Sequence, residues 1–488
     1  MVIIMIKAWD TAEFEFQGYD DGNPFTDYDI YGEFSSENEK KTVSGFYDGE
    51  GIYRVRFMPS FEGKYRYKIY GSFSDRTYSG DLDVCGADSH GMVKADGICL
   101  TYSDGTPYYS IGTTCYAWAC QEEKLRNQTI ETLKNSAFNK IRFCIFPKHY
   151  DYNYRNPALF PYKGTPVDNS NINKYNFEEY TADNAENKWD FSRFNLAYFR
   201  ILDKSIKALS ELNIEADIIL FHPYDRWGFS KMSREANDLY LKYVTARYSA
   251  YRNVWWSLAN EYDLCKYKTI DDWEHYAKVV TANDPYGHLI SIHNCVKMYD
   301  FSRPWITHCS IQRQAGDKEL DFIPSWIEKY KKPVLLDEMC YEGNIEQNWG
   351  NISDKEMLRR MWKVYILGGY GGHSECYFNE NIWWSHGGKL YGESYKRFGF
   401  LHNIMRECGA MHSVGYTAAE NDSKSIKLYY FGEHRPSFIT LKLGPQKYRA
   451  EVIDTWNMRI EDKGTVTGNV KIELPQKEYM AVRLTKEP

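Results

Sequence analysis

The sequence lacks the features that mark membrane, nucleic-acid-binding and disulfide-stabilised proteins. No apolar run approaches the roughly 18 residues that a membrane span needs. The formal net charge is −7 and no dense Lys/Arg stripe occurs, which argues against nucleic acid or an acidic membrane as a partner. The 11 cysteines are an odd number without a C-x-x-C pair, so we expect buried, reduced thiols. The first residues, MVIIMIKAWD, carry no basic region or cleavage site, and the sequence therefore predicts a cytoplasmic protein.

Aromatic residues, in contrast, are abundant. Tyr, Phe and Trp number 42, 25 and 14 and make up 17% of the chain. Tyr and Trp present flat apolar faces with a polar edge, and such faces suit the C–H faces of sugar rings. Because aromatic cores are also common, this composition favours a carbohydrate partner only weakly.

Hydrophobic patterning divides the chain into three parts. Alternation such as GKYRYKIY predicts an N-terminal antiparallel β-sandwich, immunoglobulin-like, over residues 1–86. A return to β patterning predicts a C-terminal β-sandwich over residues 412–488, and we expect both to buttress the middle part. Between them, in residues 92–411, eight short apolar runs alternate with segments of helical period, the count of a (β/α)8 TIM barrel. The predicted strands are Tyr108–Tyr116, Lys140–Phe146, Glu215–Phe221, Val254–Glu261, Leu289–Asn294, Trp305–Gln312, Pro333–Glu338 and Gly371–Tyr377.

Signatures of other enzyme classes are missing. A doubly wound open sheet is the alternative to the barrel, but the Gly-rich phosphate turn that usually follows its first strand is absent. Neither H-E-x-x-H nor G-x-S-x-G occurs, and the first barrel strand reads IGTTCYAW where metal-dependent barrel hydrolases usually carry His-x-His. We therefore expect no cofactor and no catalytic metal.

Two predicted strands end in carboxylates. VWWSLANEYD, the fourth strand, closes on Asn260 and Glu261, and PVLLDE, the seventh, closes on Asp337 and Glu338. Catalytic groups of such barrels sit at the carboxyl ends of the strands, so these acids should face each other across the mouth. Two opposed carboxylates are what glycoside hydrolysis requires. An anionic Glu338 would also raise the pKa of Glu261, as a catalytic acid needs.

Asn-Glu closing strand four and Glu closing strand seven resemble clan A of the glycoside hydrolases, which are retaining (β/α)8 enzymes. The resemblance implies that Glu261 is the acid/base, that Glu338 is the nucleophile and that Asn260 binds the sugar 2-hydroxyl. It also matches Arg142 on strand two and His222 at the end of strand three. Clan members commonly carry Tyr or His late in strand six, where this chain offers His308 or Gln312.

The whole chain is similar to a group of predicted bacterial glycosidases whose domains mostly carry unknown-function labels. The segments that carry this similarity are FHPYDRWG, YRNVWWSLANEYD and DPYGHLISIHN. No substrate can be transferred from that group.

Further candidates surround the two acids. Asp337 and Glu342 are rivals for the nucleophile, although on a strand Asp337 points opposite to Glu338. His293 is expected to bind sugar hydroxyls or to be buried. Residues 148–190, after strand two, are expected to close part of the cleft and to favour short substrates. Four aromatic residues near the mouth are candidates for sugar stacking, with core packing equally favoured: Trp118, Tyr341, Trp383 and Trp384.

The leading hypothesis is a retaining glycosidase acting on short oligosaccharides or glycosides. An endo-acting β-glucanase or mannanase is the second reading. A barrel that has lost activity and only binds glycans is the third, but loss of one Glu would be its mark and both are present. The sequence leaves the sugar, the linkage and the oligomeric state, including a homo-oligomer, open.

Overall fold

Two β-sheets face each other at the start of the chain. The computed structural model describes residues 4–167, 171–183, 186–314, 316–379 and 382–488. The predicted alternation places Tyr65 and Ile69 in the core between the sheets, where Phe34 stacks on Phe57 with ring centroids 4.0 Å apart. The first strand pairs parallel with its neighbour; the other pairs in these two sheets are antiparallel. One sheet contains Ile4–Lys7, Tyr78–Cys85, Gly63–Tyr70, Tyr31–Ser35 and Lys40–Ser44, and the other Ala12–Gln17, Ile52–Phe57 and Phe46–Gly49.

Eight parallel strands form the centre of the molecule. They lie in the order 5-4-3-2-1-8-7-6, and a parallel bridge between His293 and Ser310 joins the two edges into a nearly closed barrel. All eight predicted strands are present, although the sixth begins only at Cys309, because a turn at residues 303–306 precedes it. In chain order the barrel strands are Gly112–Thr114, Lys140–Cys144, Glu215–Phe221, Val254–Ala259, Ile290–Ser291, Cys309–Gln312, Val334–Glu338 and Tyr370–His373.

Helices connect most of these strands. Within the described residues, no helix lies between the fifth and sixth strands, and the two short helices before the seventh strand were not predicted from the sequence. Ser233, Thr269 and Ser353 cap helix N-termini by accepting backbone N–H groups. The α-helices are Glu123–Lys134, Leu196–Glu211, Arg234–Tyr248, Ile270–Asn283, Gly316–Leu320, Ile323–Tyr330, Asp354–Ile366, Trp383–His386 and Phe398–Cys408.

The chain ends in a six-stranded antiparallel sheet and a separate strand pair, which enclose their own apolar core. The sheet order is Met411–Gly415, Ala418–Asn421, Ile426–Tyr430, Met480–Lys486, Tyr448–Asp454 and Arg459–Val466; the pair is Phe438–Lys442 with Asn469–Glu473. Shorter pairs occur elsewhere: Val93–Asp96 with Cys99–Tyr102, Tyr162–Thr165 with Lys188–Phe194, and Glu342–Gly343 with Glu375–Cys376.

Buried ion pairs attach the N-terminal sheets to the barrel helices. Arg247 donates to Asp48 at 3.0 Å and to Asp203 at 2.6 Å, and Arg56 donates to the Arg247 carbonyl at 2.6 Å. At the other end of the chain, Trp362 packs on Tyr430 with centroids 5.5 Å apart. None of the helices in the described ranges is both long enough and apolar enough to cross a bilayer.

Candidate active site

Glu261 and Glu338 meet at the carboxyl end of the barrel. Glu338 is the last residue of the seventh strand, and Glu261 follows the fourth by two residues. Both residues are buried, with 6% of Glu338 and 5% of Glu261 exposed. Glu261 has a φ of 48°, a left-handed conformation that is uncommon for residues with a side chain.

A single amide joins the two carboxylates. With its nitrogen turned toward them, the Gln312 side chain donates to Glu261 Oε1 at 3.1 Å and to Glu338 Oε2 at 3.3 Å. In that orientation its nitrogen also lies 3.2 Å from the Asn294 carbonyl oxygen, and its oxygen accepts from Gln314 Nε2 at 2.8 Å. Because one nitrogen reaches both acids, the two oxygens are separated by no more than the sum of these distances.

Donors and positive charge converge on Glu338. Arg142 Nη1 lies 3.1 Å and His293 Nε2 lies 3.3 Å from its Oε1, and Tyr116 donates its hydroxyl hydrogen to the same oxygen. Burial alone would raise the pKa of Glu338, but His293, Arg142 and Tyr116 outweigh it and lower the pKa to about 2. Glu338 is therefore ionised at neutral pH, as a nucleophile must be.

Glu261 has the opposite environment. Burial and the negative charge of Glu338 raise its pKa above the ordinary value, while Lys148 and a hydrogen bond from the Tyr224 hydroxyl act against the rise. Asn260 Nδ2 lies 3.3 Å from Glu261 Oε2. The two environments therefore push the pKa values of the two acids apart, the pattern of an acid/base pair.

Asn260 also contacts two residues that bond Glu338, namely Arg142 and Tyr116. Its Oδ1 accepts from Arg142 Nη1 at 2.8 Å and from the Tyr116 hydroxyl at 3.4 Å. Arg142 thus bridges Asn260 and Glu338 and fixes the amide and the carboxylate relative to each other.

A second layer of ion pairs lies beneath these groups. Lys140 donates to Asp337 at 2.7 Å and to Asp217 at 2.9 Å. The Ser310 hydroxyl donates to Asp337 and accepts from Nδ1 of His293 at 3.0 Å. Burial disfavours the charge of Asp337, but Lys140 outweighs it and holds the pKa low. Asp337 is therefore engaged in an ion pair with Lys140.

Glu342, the other rival for the nucleophile, is engaged elsewhere. Its Oε1 accepts from the backbone N–H of Glu393 at 2.8 Å and from the Tyr377 hydroxyl at 2.9 Å, and its Oε2 accepts from Ser394. These bonds tie the loop before helix Phe398–Cys408 to the end of the barrel, a structural role.

The three candidate histidines, His222, His293 and His308, occupy different environments. His293 contacts Glu338, as described above. His222 lies 3.2 Å through Nε2 from the Phe146 carbonyl, and burial together with nearby Lys148 lowers its pKa to about 3. His308 packs edge-on against Trp255 in the barrel interior, where burial lowers its pKa to about 4. Of the two strand-six candidates, Gln312 and not His308 reaches the carboxylates, because they lie four residues apart along the strand direction and only Gln312 is at its carboxyl end.

Of the four aromatic candidates, two lie at the site and two lie in the core. Trp384 lies at the mouth, 5.6 Å from the Tyr116 ring and near Tyr341, whose pKa burial and Glu338 raise well above the ordinary value. Trp118 packs edge-on against Phe143 and Trp383 donates Nε1 to Thr113 at 2.9 Å, both in the main core. The structure therefore does not bring Trp118 and Trp383 to the carboxylates.

Three residues that hold or flank the acids were not singled out from the sequence: Tyr116, Lys148 and Tyr224. Each follows an observed barrel strand by two to four residues, the first, second and third strand respectively. The rule that found the two glutamates applies to these positions too. Applied to every strand end, and not only to acids and histidines, it would have found them.

The segment after strand two spans the mouth. It contacts the loops after strands seven, eight and four: the Tyr152 hydroxyl donates to Gln347 at 3.1 Å, Asn153 Oδ1 lies 3.0 Å from His386 Nε2, and Asp183 pairs with Lys266. Residues 168–170 and 184–185 of this segment lie outside the described ranges.

Cavities flank the site on two sides. One, of about 280 Å³, is lined by the segment after strand two together with His222 and Tyr224. The other, of about 560 Å³, is lined by Gln312, Arg313 and Trp326 among others. The first cavity includes Tyr224 and the second Gln312, and both of these residues hydrogen-bond to Glu261, although neither glutamate itself lines either cavity.

Comparison with solved structures shows that the chain is similar to proteins named as glycoside hydrolases. A crystal structure of "a putative glycoside hydrolase" from Bacteroides vulgatus ATCC 8482 is 36% identical, with a TM-score of 0.91 and coverage of 99% of this chain and 100% of that one. A second solved structure, named a glycoside hydrolase, is 15% identical with a TM-score of 0.61, covers 81% of this chain and 97% of its own, and shares the fold.

Family models cover the two ends of the chain. A domain of unknown function, DUF5060, matches residues 5–72, and another, DUF5605, matches residues 415–485. No curated protein matches the chain.

Proposed function

This chain belongs to the same glycoside hydrolase family as the Bacteroides vulgatus protein, and on that premise we propose that it cleaves β-glycosidic, or stereochemically equivalent, bonds of short oligosaccharides or glycosides with retention of configuration. The observation that carries the proposal is the Gln312 nitrogen within hydrogen-bond reach of both acids. Retaining enzymes hold their carboxyl groups about 5 Å apart and inverting enzymes about 6.5–9.5 Å. A shared donor supports the shorter separation.

In the first half-reaction, a Glu338 oxygen attacks the anomeric carbon and Glu261 gives its proton to the departing glycosidic oxygen. The low pKa of Glu338 and the raised pKa of Glu261 support these roles. Once Glu338 is esterified, its negative charge is lost and the pKa of Glu261 falls. Glu261 then takes a proton from water, which attacks the anomeric carbon and releases the sugar with its original configuration.

We place the chain in clan A and divide it into an N-terminal β-sandwich (1–86), a (β/α)8 barrel (92–411) and a C-terminal β-sandwich (412–488). The ordered matches at Arg142, His222, Asn260 and the two glutamates support the clan assignment. Tyr116 supplies a phenol to the nucleophile from strand one, while strand six supplies the amide of Gln312.

A pocket is favoured over an open groove. The segment after strand two is bonded to loops on three sides of the mouth, which shortens the space available to a polysaccharide. The endo-acting alternative requires sugar platforms on both sides, and the exposed Phe322 beside Trp326 is the feature that favours it.

The test is hydrolysis of a panel of aryl β-glycosides, β-uronides and aryl arabinofuranosides, with NMR identification of the first anomer released. Wild type should release the retained anomer, and Glu338→Gln, which preserves the shape but not the nucleophile, should lose turnover. Glu346→Gln, an exposed acid of a neighbouring loop, is the matched control and should behave like wild type. An inverted first product, or wild-type turnover by Glu338→Gln, would contradict the proposal.

A further inference from the structure

Lys148 places a buried ammonium group beside the two catalytic carboxylates. The residue follows the second barrel strand and is 3% exposed. Its Nζ lies 3.6 Å from the ring centroid of Tyr116, 4.2 Å from that of Tyr224 and 4.6 Å from that of Trp384. Tyr116 is the phenol that bonds Glu338, and Tyr224 is the one that bonds Glu261. The ammonium therefore lies between Tyr116 and Tyr224, the two residues whose hydroxyl groups bond the two acids.

This ammonium has no anionic partner of its own. Across the ranges that the structure describes, it forms no hydrogen bond and has no carboxylate oxygen within 4.0 Å. Lys140, eight residues earlier, shows the contrast, because Asp217 and Asp337 neutralise it. Burying an unpaired charge is costly, and cation–π contacts with the aromatic rings offset only part of that cost. Burial accordingly lowers the pKa of Lys148.

The other charged side chains of the site engage one another, two cations facing three carboxylates. Arg142 pairs with Glu338, and Lys140 pairs with the two aspartates beneath it. Glu261 must be protonated to act as the acid, so it contributes no negative charge at the start of the reaction. Lys148 offsets the remaining negative charge of this set without contacting it, and its three N–H donors face aromatic rings with no hydrogen-bond acceptor among the described residues.

We propose that Lys148 recognises an anionic group on the sugar bound at the two carboxylates, so that the preferred substrates are glycosides carrying a carboxylate or a sulfate, uronides above all. The inference rests on the proposed function and adds its substrate class. An anionic substituent supplies the charge-assisted hydrogen bonds that the ammonium lacks. The aromatic box formed by Tyr116, Tyr224 and Trp384 excludes the water that would weaken those bonds.

The experiment compares substrates that differ only in this charge. The pairs are 4-nitrophenyl β-D-glucuronide with the β-D-glucoside, and β-D-galacturonide with the β-D-galactoside; the β-D-glucoside 6-sulfate separates sulfate from carboxylate. Each is measured with wild type, Lys148→Met, Lys148→Arg and, as a control, Lys207→Met, a lysine 69% exposed at its side chain on a helix. Removing one member of a buried charge pair typically costs 2–5 kcal/mol, about 30-fold or more in kcat/KM.

Wild type should prefer the anionic member of a pair, and Lys148→Met should reduce that preference by about 30-fold or more. Lys148→Arg, which keeps the charge, should retain part of it, and Lys207→Met should equal wild type. If Lys148→Met does not fold, as judged by circular dichroism, the wild-type preference and its response to Lys148→Arg decide the matter. Equal kcat/KM for charged and neutral members in wild type overturns the inference and leaves the proposed function standing.

Binding to Glu338→Gln, measured by calorimetry with D-glucuronate, D-glucose 6-sulfate and D-glucose, separates recognition from catalysis. Tighter binding of an anionic sugar, lost in the double variant with Lys148→Met, supports the inference even if no glycoside is hydrolysed; the proposed function would then fall alone. Absence of a difference between anionic and neutral sugars overturns the inference.

Discussion

Tyr116, two residues beyond the first barrel strand, donates its hydroxyl hydrogen to Glu338, the last residue of the seventh strand. This bond favours the ionised carboxylate and contributes to its low pKa. In the proposed mechanism Glu338 becomes an ester, which is a weaker hydrogen-bond acceptor than a carboxylate, so this bond would be stronger in the free enzyme than in the intermediate.

Tyr116→Phe should raise the pKa of Glu338 above about 2, because a donor to the charged form is removed while burial remains. The acid limb of the kcat/KM profile should move to higher pH, and kcat/KM at its maximum should fall about 10- to 100-fold, the value of a hydrogen bond to a charged group. Tyr152→Phe, which loses a bond to Gln347 instead, is the control. An unmoved acid limb would count against the role of Tyr116.

Tyr224→Phe should shift the alkaline limb of the pH profile of kcat/KM. Tyr224 donates to Glu261 and lowers its pKa, so removal of the hydroxyl should raise that pKa further. Activity requires protonated Glu261 and is lost as pH rises through its pKa, so the alkaline limb should move to higher pH. Tyr150→Phe, a neighbouring ring with no hydrogen bond to Glu261 in the described structure, provides the comparison. A shift to lower pH would contradict the assignment.

Azide rescue should distinguish the two glutamates. In Glu338→Ala, azide can occupy the place of the nucleophile and give a glycosyl azide of inverted configuration. In Glu261→Ala, the glycosyl-enzyme still forms from an activated substrate, and azide should give the retained azide. The products are identified by NMR, and the same anomer from both variants would reverse or remove the assigned roles.

Gln312→Leu should reduce kcat/KM about 10- to 100-fold, because the donor shared by both carboxylates is lost. His308→Asn, four residues earlier, alters a ring that contacts Trp255 in the interior, and should lower the melting temperature with a smaller effect on kcat/KM. Steady-state kinetics and thermal unfolding on both variants provide the measurement. The reverse pattern would make His308 the strand-six contact of the site.

Arg247→Met should destabilise the protein by about 3–5 kcal/mol, because it leaves the buried carboxylate of Asp48 without one of its partners. Arg449→Met removes an exposed pair with Asp462 and should cost less than about 1 kcal/mol. Urea unfolding of the two variants compares them directly. Equal stabilities would show that the N-terminal sheets do not depend on this ion pair.

The sequence alone determined the barrel strands and the two catalytic candidates. Apolar runs such as that before Glu261 are local patterns, and the parallel barrel turns each strand end into a position at one mouth. The proximity of two acids at strand ends could therefore be predicted from the sequence. The missed helices Gly316–Leu320 and Ile323–Tyr330 are short, and a short amphipathic segment carries too few periods to be distinguished from a loop.

Only the tertiary structure decided which neighbours touch those acids. Trp118 and Trp384 both follow barrel strands, yet one is enclosed in the core and the other forms the box around Lys148. Likewise His308 directly precedes the sixth strand and Gln312 ends it, but only Gln312 reaches Glu261. The direction and depth of a side chain depend on strand tilt and on packing between segments far apart in the chain. Local sequence patterns predict neither the tilt nor the packing. The carboxylates follow from periodicity; their donors and the unpaired ammonium follow from three-dimensional packing.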